Sequence, residues 1–260
     1  MRSILALLIV IAVVFITPAC AEDSALASLF SDAGIDGTIL IARLDGSERY
    51  VHNEQRAARR LPAASTFKIF NTLIALDEGA VSGLDEVIRW DGHLYDFPDW
   101  NQDHTIKRAY AASCVWCYQE LASRIGGDRY RAHLARAGYG RLQEPFDETT
   151  FWLDGSLTIS AEEQVEFLRQ VILQALPYKG SSYAGLRDVM LSEQGEDYRL
   201  YAKTGWATRS SPQVGWYVGY IERPEATWIF AMNIDVAGKA DLPLRQALTR
   251  ASLKAKGIMQ

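Results

Sequence analysis

The chain has 260 residues and a mass of 29.0 kDa, a length that suits one large domain or two closely packed ones and can bury a sizeable core without disulfide staples. Hydrophobic residues at 48% and charged residues at 23% exclude a disordered, collagenous or multi-span membrane protein. The formal net charge of −5, with no Lys/Arg cluster to override it, excludes nucleic acid as the main partner, because phosphate binding needs a basic face.

Residues 1–21 read as an export signal. Arg2 is followed by an unbroken apolar run, residues 4–16, too short to span a bilayer, and Pro18-Ala19-Cys20-Ala21 offers small residues for cleavage after Ala21. Lipidation at Cys20 is the alternative, and Thr17 and Pro18 make a poor lipobox for it. The mature chain is expected to be periplasmic or secreted, with no stable membrane insertion.

Residues 38–53 predict strand, tight turn, strand, with Asp45-Gly46 suited to a two-residue hairpin loop. Residues 62–177 read as mostly helical. Phe67, Phe70, Leu73 and Ile74 recur at helical spacing with Gly79 at the C-cap position, and Ser160 to Glu163 form a capping box opening an apolar-periodic helix over 165–176. Strands return over 198–203, 214–221 and 227–234, rich in aromatic and branched residues, before a closing helix over 243–256. The expected fold class is α+β. An antiparallel sheet is assembled from residues 22–61 and 179–260, residues 62–178 form a helical insert, and the ligand cleft lies between the two.

Three short motifs carry chemistry. Ser65-Thr66-Phe67-Lys68 enters a helix; residues i and i+3 share a face, so the serine hydroxyl and lysine amine can meet, with helix N–H groups nearby for an oxyanion. That lysine can act as a base only when an apolar setting keeps it neutral. Alone, the tetrapeptide reads more readily as a helix cap with a solvated lysine one turn on. Ser113-Cys114-Val115 adds a second hydroxyl at the start of another helix. Lys203-Thr204-Gly205 adds a cation, a hydroxyl and a bare backbone at the end of a strand. S-x-x-K, S-x-V and K-T-G in this order form the pattern of penicillin-recognising serine enzymes.

With Tyr139-Gly140, Phe151-Trp152-Leu153-Asp154-Gly155 and Leu242-Pro243-Leu244-Arg245 added, the chain resembles the class D serine β-lactamases, the oxacillinase family, over nearly all of its mature length. The resemblance implies a penicillin-recognising fold and hydrolysis of penicillins and related β-lactams through an acyl-enzyme, conferring resistance. It implies Ser65 as nucleophile and Lys68, N-carboxylated by carbon dioxide in a pocket of Val115, Trp152 and Leu153, as general base, with the Trp152 indole donating to the carbamate. It also implies Ser113 as proton relay, Lys203 as the cation beside it, and an oxyanion hole from the backbone N–H groups of Ser65 and Trp206. Thr204, Gly205 and Arg245 would receive the substrate carboxylate. Carbon dioxide enters as a covalent modifier, and neither a metal nor an organic cofactor is implied. The partner is a small-molecule β-lactam, and the chain is expected as a monomer or homodimer. The Ser-Asp-Asn motif and catalytic glutamate of class A relatives are missing. Arg141 stands where the family has Asn, which places local loop geometry in question.

Other features have plainer readings. Cys114 and Cys117 are expected as buried thiols, because an i,i+3 helical pair suits a disulfide poorly. His93 and His104 with Asp91, Asp96, Asp99 and Asp103 read as a polar loop without metal-ligand spacing. Trp100 either borders the cleft or packs at the base of its loop. Residues 206–209 resemble a loop of carbapenem-hydrolysing members, so Arg209 is expected to bridge to Asp154. The alternatives to a β-lactamase are a β-lactam sensor domain and a peptidoglycan transpeptidase or carboxypeptidase, all of which stay acylated.

Overall fold

The computed structural model describes residues 22–260, so the predicted export signal lies outside the described residues. The chain opens with a helix not anticipated above, α1 (Ser24–Ala33), capped by the Asp23 carboxylate and closed by Gly34 in the left-handed region. Two antiparallel strands follow, β1 (Gly37–Arg43) and β2 (Arg49–His52). Asp45-Gly46 does sit in their turn, but the connection runs over residues 44–48 rather than two residues. The Asp45 carboxylate accepts from both the backbone and the hydroxyl of Ser47, and this local turn needs the extra length.

The middle block contains α2 (Lys68–Asp77), α3 (Val115–Ile125), α4 (Gly127–Ala137) and α5 (Ala161–Ile172). Both halves of the Ser160–Glu163 capping box form, and α5 starts directly after it. It ends at Ile172, earlier than periodicity predicts, because Gln174 takes a positive φ. A further helix, α6 (Gly180–Met190), packs against α2. The chain then returns as β3 (Leu191–Gln194), β4 (Arg199–Ala207), β5 (Gln213–Glu222) and β6 (Thr227–Val236), and closes with α7 (Leu244–Ala255).

The sheet has six strands in the order β2-β1-β6-β5-β4-β3, every neighbour antiparallel. It is therefore α+β, with the N-terminal hairpin paired against the C-terminal meander. One face buries Ile39, Ile41, Phe230 and Met232 against Leu26 and Phe30 of α1 and Leu248 and Leu253 of α7. The other carries Leu40, Val218, Ile229 and Ala231 into the helical block, whose centre is an aromatic cluster. There the Phe67 ring meets Phe70, Tyr130, Tyr139, Phe151 and Trp152 at centroid distances of 5.1–6.3 Å. Burying such rings contributes about 1.5–3 kcal/mol each and fixes the turn that carries Ser65. Among the described residues no helix is long and apolar enough to cross a membrane.

Candidate active site

Ser65 sits on a single 3-10 turn, Ala64–Phe67, that runs directly into α2. Ala64 is held at φ +48°, a conformation a side chain tolerates only when its surroundings impose it. They do so from three sides. The Ala63 N–H donates to the Leu157 carbonyl at 3.1 Å. The Trp216 indole donates to the Pro62 carbonyl at 2.9 Å. The Thr66 hydroxyl donates to the Ala63 carbonyl at 2.6 Å and accepts from the Gln164 amide at 2.8 Å.

Lys68, in the first turn of α2, donates from Nζ to Ser65 Oγ at 3.0 Å. It is fully buried, has no carboxylate partner among the described residues, and its Nζ lies 5.0 Å from the centre of the Tyr118 ring. Burial first, and the nearby Lys203 charge second, push its amine well below the usual lysine range. Both effects act in the direction a lysine base requires, towards the neutral amine.

The second pair comes from the sheet. Lys203 on β4 donates from Nζ to Ser113 Oγ at 3.0 Å and to the Thr204 carbonyl at 3.1 Å, and the Tyr110 ring lies beneath it at 5.6 Å. Burial and the Arg245 charge lower it to about 7. Ser113 precedes the α3 cap rather than opening the helix, and it too has a positive φ, +54°. Both serines thus stand at strained turns, with a buried lysine behind each.

Two bare glycines permit the close approach. A Cβ on Gly205 would come within 3.1 Å of Thr66 Cγ2 and 3.3 Å of its backbone nitrogen, so a side chain there would press on the Ser65 turn that glycine lets β4 approach. A Cβ on Gly215 would stand 2.8 Å from Arg245 Cδ. The Arg245 stem lies across that space, its Nη1 donating to the Gly205 carbonyl and its Nε to the Leu242 carbonyl, both at 2.7 Å. Burial lowers its guanidinium to about 10, far enough above neutrality to stay charged, and its remaining N–H groups are left for an anion.

Ser65, Ser113, Val115, Leu153, Thr204, Gly205, Trp206 and Arg245 line one cleft of about 470 Å³. Trp100 satisfies both of its readings. It borders this cleft, and it also packs, its ring 4.6 Å from Phe97 and its indole donating to the Ala112 carbonyl at 3.0 Å. The Trp206 indole is occupied by Gln213 at 2.9 Å. Trp152 is fully buried and its indole N–H has no hydrogen-bond partner among the described residues. An orphaned buried donor costs about 1–3 kcal/mol, and the indole ring packs 5.7 Å from that of Phe67, the residue before Lys68. Sequence reasoning missed Tyr110 and Tyr118, whose rings face the two lysines, because aromatic residues on helices read as core.

Two expectations are corrected. Cys114 and Cys117 are joined as a disulfide, with a Cα–Cα distance of 5.5 Å. Cys114 is the N-cap of α3, at φ −55° and ψ 115°, so the pair spans a cap and a first turn rather than two helical positions. Arg209 and Asp154 make no ion pair. The Asp154 carboxylate already accepts from the Thr150 hydroxyl and the Ser156 N–H, both at 2.8 Å. Although burial would raise it, those bonds and the charge of Arg209 keep it below the usual carboxylate range. Arg141 is exposed on a short strand paired with Thr158, and so leaves the site alone. Gly140 before it, at φ +61°, would place a Cβ 2.2 Å from the Thr158 carbonyl oxygen, which explains the Tyr-Gly turn.

Residues 39–254 match the penicillin-binding-protein transpeptidase domain. β-Lactamase OXA-20 of Pseudomonas aeruginosa is 39% identical over 237 residues, 90% of this chain and 88% of that protein. β-Lactamase OXA-48 of Klebsiella pneumoniae is 38% identical over 230 residues, 88% and 87% of the two chains. Among solved structures, the class D β-lactamase YbXI from Nostoc superposes with a TM-score of 0.88 at 39% identity, covering 90% of this chain and 99% of that one. FUS-1 (OXA-85), a class D β-lactamase from Fusobacterium nucleatum subsp. polymorphum, does so with a TM-score of 0.89 at 33% identity, covering 92% and 100%.

Proposed function

The chain belongs to the class D β-lactamases, and from that premise we propose that Ser65 is its nucleophile, Lys68 its base and Ser113 its proton relay in the hydrolysis of penicillins and related β-lactams. The observation that carries the assignment is the pair of 3.0 Å contacts, Lys68 Nζ to Ser65 Oγ and Lys203 Nζ to Ser113 Oγ, opening on one cleft. Thr204 and the free N–H groups of Arg245 receive the substrate carboxylate through a charge-assisted bond. Ser65 Oγ then attacks the lactam carbonyl, with the backbone N–H groups of Ser65 and Trp206 facing the developing oxyanion. Ser113 passes a proton to the departing ring nitrogen, and Lys203 holds positive potential beside it. The anionic substrate itself favours charge on Lys203, which stands near its own midpoint at neutral pH. Water finally cleaves the Ser65 ester.

Carboxylation of Lys68 is part of the proposal. It is supported by the buried amine, whose charged form burial disfavours, by Val115 and Leu153 in the wall of the cleft, and by the Trp152 N–H, unpartnered among the described residues. When added there, carbon dioxide supplies a carboxylate base beside Ser65. Export, with cleavage after Ala21, is supported by the apolar run at residues 4–16 and by the Cys114–Cys117 disulfide, a bond of oxidising compartments. The sheet and helical regions, 22–61 with 179–260 and 62–178, serve as the two walls of the cleft.

Time-resolved hydrolysis of a chromogenic penicillin in bicarbonate buffer tests this reading. Many product molecules per enzyme are expected, with turnover falling when bicarbonate is removed. Release that stops at one equivalent would replace it with a sensor or cell-wall enzyme.

A further inference from the structure

His104 leaves the aspartate-rich loop it was grouped with and turns into the core, 1% exposed, while His93 stays at the surface. Its Nε2 lies 2.8 Å from the Asp99 carbonyl oxygen. A carbonyl only accepts, so the ring proton is on Nε2 and Nδ1 carries a bare lone pair. That Nδ1 is buried and without a hydrogen-bond partner among the described residues. A ligand atom of His104 and the sulfurs of Cys114 and Cys117 all lie within 4.8 Å of one another. The sulfurs of a disulfide have no proton to offer the lone pair. A surface cleft of about 320 Å³, lined by Asp99, Gln102 and Arg108 among others, reaches His104.

We propose that the dithiol form of this chain binds a zinc ion through Cys114 Sγ, Cys117 Sγ and His104 Nδ1. Two thiolates and an imidazole form a zinc donor set, and three protein ligands leave the fourth tetrahedral position to water. The Nε2–H bond to a backbone carbonyl is the support that orients a ligating histidine. Reduction by a phosphine in water adds two electrons and two protons to the sulfurs and converts the phosphine to its oxide. Metal binding then releases the two thiol protons and forms two Zn–S bonds and one Zn–N bond. Ser113 directly precedes Cys114, so an ion seated there moves the serine relative to Lys203, and zinc slows hydrolysis by the reduced chain alone.

Binding is read without substrate, so it stands or falls apart from the assigned reaction. The full chain carrying Cys20→Ser is reduced with phosphine to two thiols per chain and titrated with cobalt as a visible probe, then with zinc. One cobalt per reduced chain is expected, with a thiolate-to-metal charge-transfer band that zinc removes, and none for the disulfide form. Cys117→Ser should lose the band. His104→Gln, which keeps both thiols, should bind at least about tenfold more weakly. No band in the reduced chain, or unchanged affinity in His104→Gln, overturns the proposal.

Discussion

Replacing Trp152 with phenylalanine separates a base on carboxylated Lys68 from one on the free amine. The indole is fully buried, its N–H has no partner, and its ring packs 5.7 Å from Phe67 and 5.1 Å from Phe151. Water cannot take over the donor's task at such a site. A hydrogen bond to a charged group contributes about 1.5–3 kcal/mol, and every 1.4 kcal/mol or so is a factor of ten. Trp152→Phe should therefore raise the bicarbonate concentration that half-restores activity by about 10- to 100-fold. Without bicarbonate the variant should lose little stability, because removing an orphaned donor offsets part of the cavity left by the smaller ring. Initial rates against bicarbonate, with thermal unfolding measured alongside, give both quantities. An unchanged half-saturating bicarbonate concentration in a folded variant would refute the assignment of Trp152 as the carbamate donor.

Lys203, lowered by burial and by Arg245 to about 7, loses its charge as pH rises through that value. KM for an anionic substrate should therefore climb above neutrality. In Arg245→Ala the climb should begin at higher pH, because a repelling charge has gone; pH profiles of KM for the two proteins check this. Gly215→Ala should push the Arg245 stem aside, the new Cβ meeting its Cδ at 2.8 Å. Overpacking of this kind costs about 1–3 kcal/mol of stability, and moving the guanidinium away from the substrate carboxylate should raise KM with kcat less affected, which steady-state kinetics check. Cys117→Ser opens the short Cys114–Cys117 loop, for which chain entropy gives about 2 kcal/mol. Thermal unfolding of the oxidised protein should show a midpoint lower by roughly 4–8 °C.

What could be read from the chain followed the range of the interaction concerned. The strands over 199–236 are marked by runs of aromatic and branched residues and the α5 cap by neighbours a few residues apart, so local pattern reveals them. The turn at Asp45-Gly46 was misjudged by length, because Ser47 competes for the aspartate. Lys68 and Ser65 were legible as a pair, being one helical turn apart, but the state of that lysine was not. The lowering of its pKa depends on burial and on the like charge of Lys203, far along the chain. The cysteines show the converse. Their spacing was plain, yet their chemistry turned on whether Cys114 was the first helical residue or the cap before it, a single position that periodicity cannot resolve. That same position strains Ser113. A chain that caps α3 with Cys114 thereby turns Ser113 out of the helix to meet Lys203, so the disulfide and the Ser113–Lys203 contact are two consequences of one helix boundary.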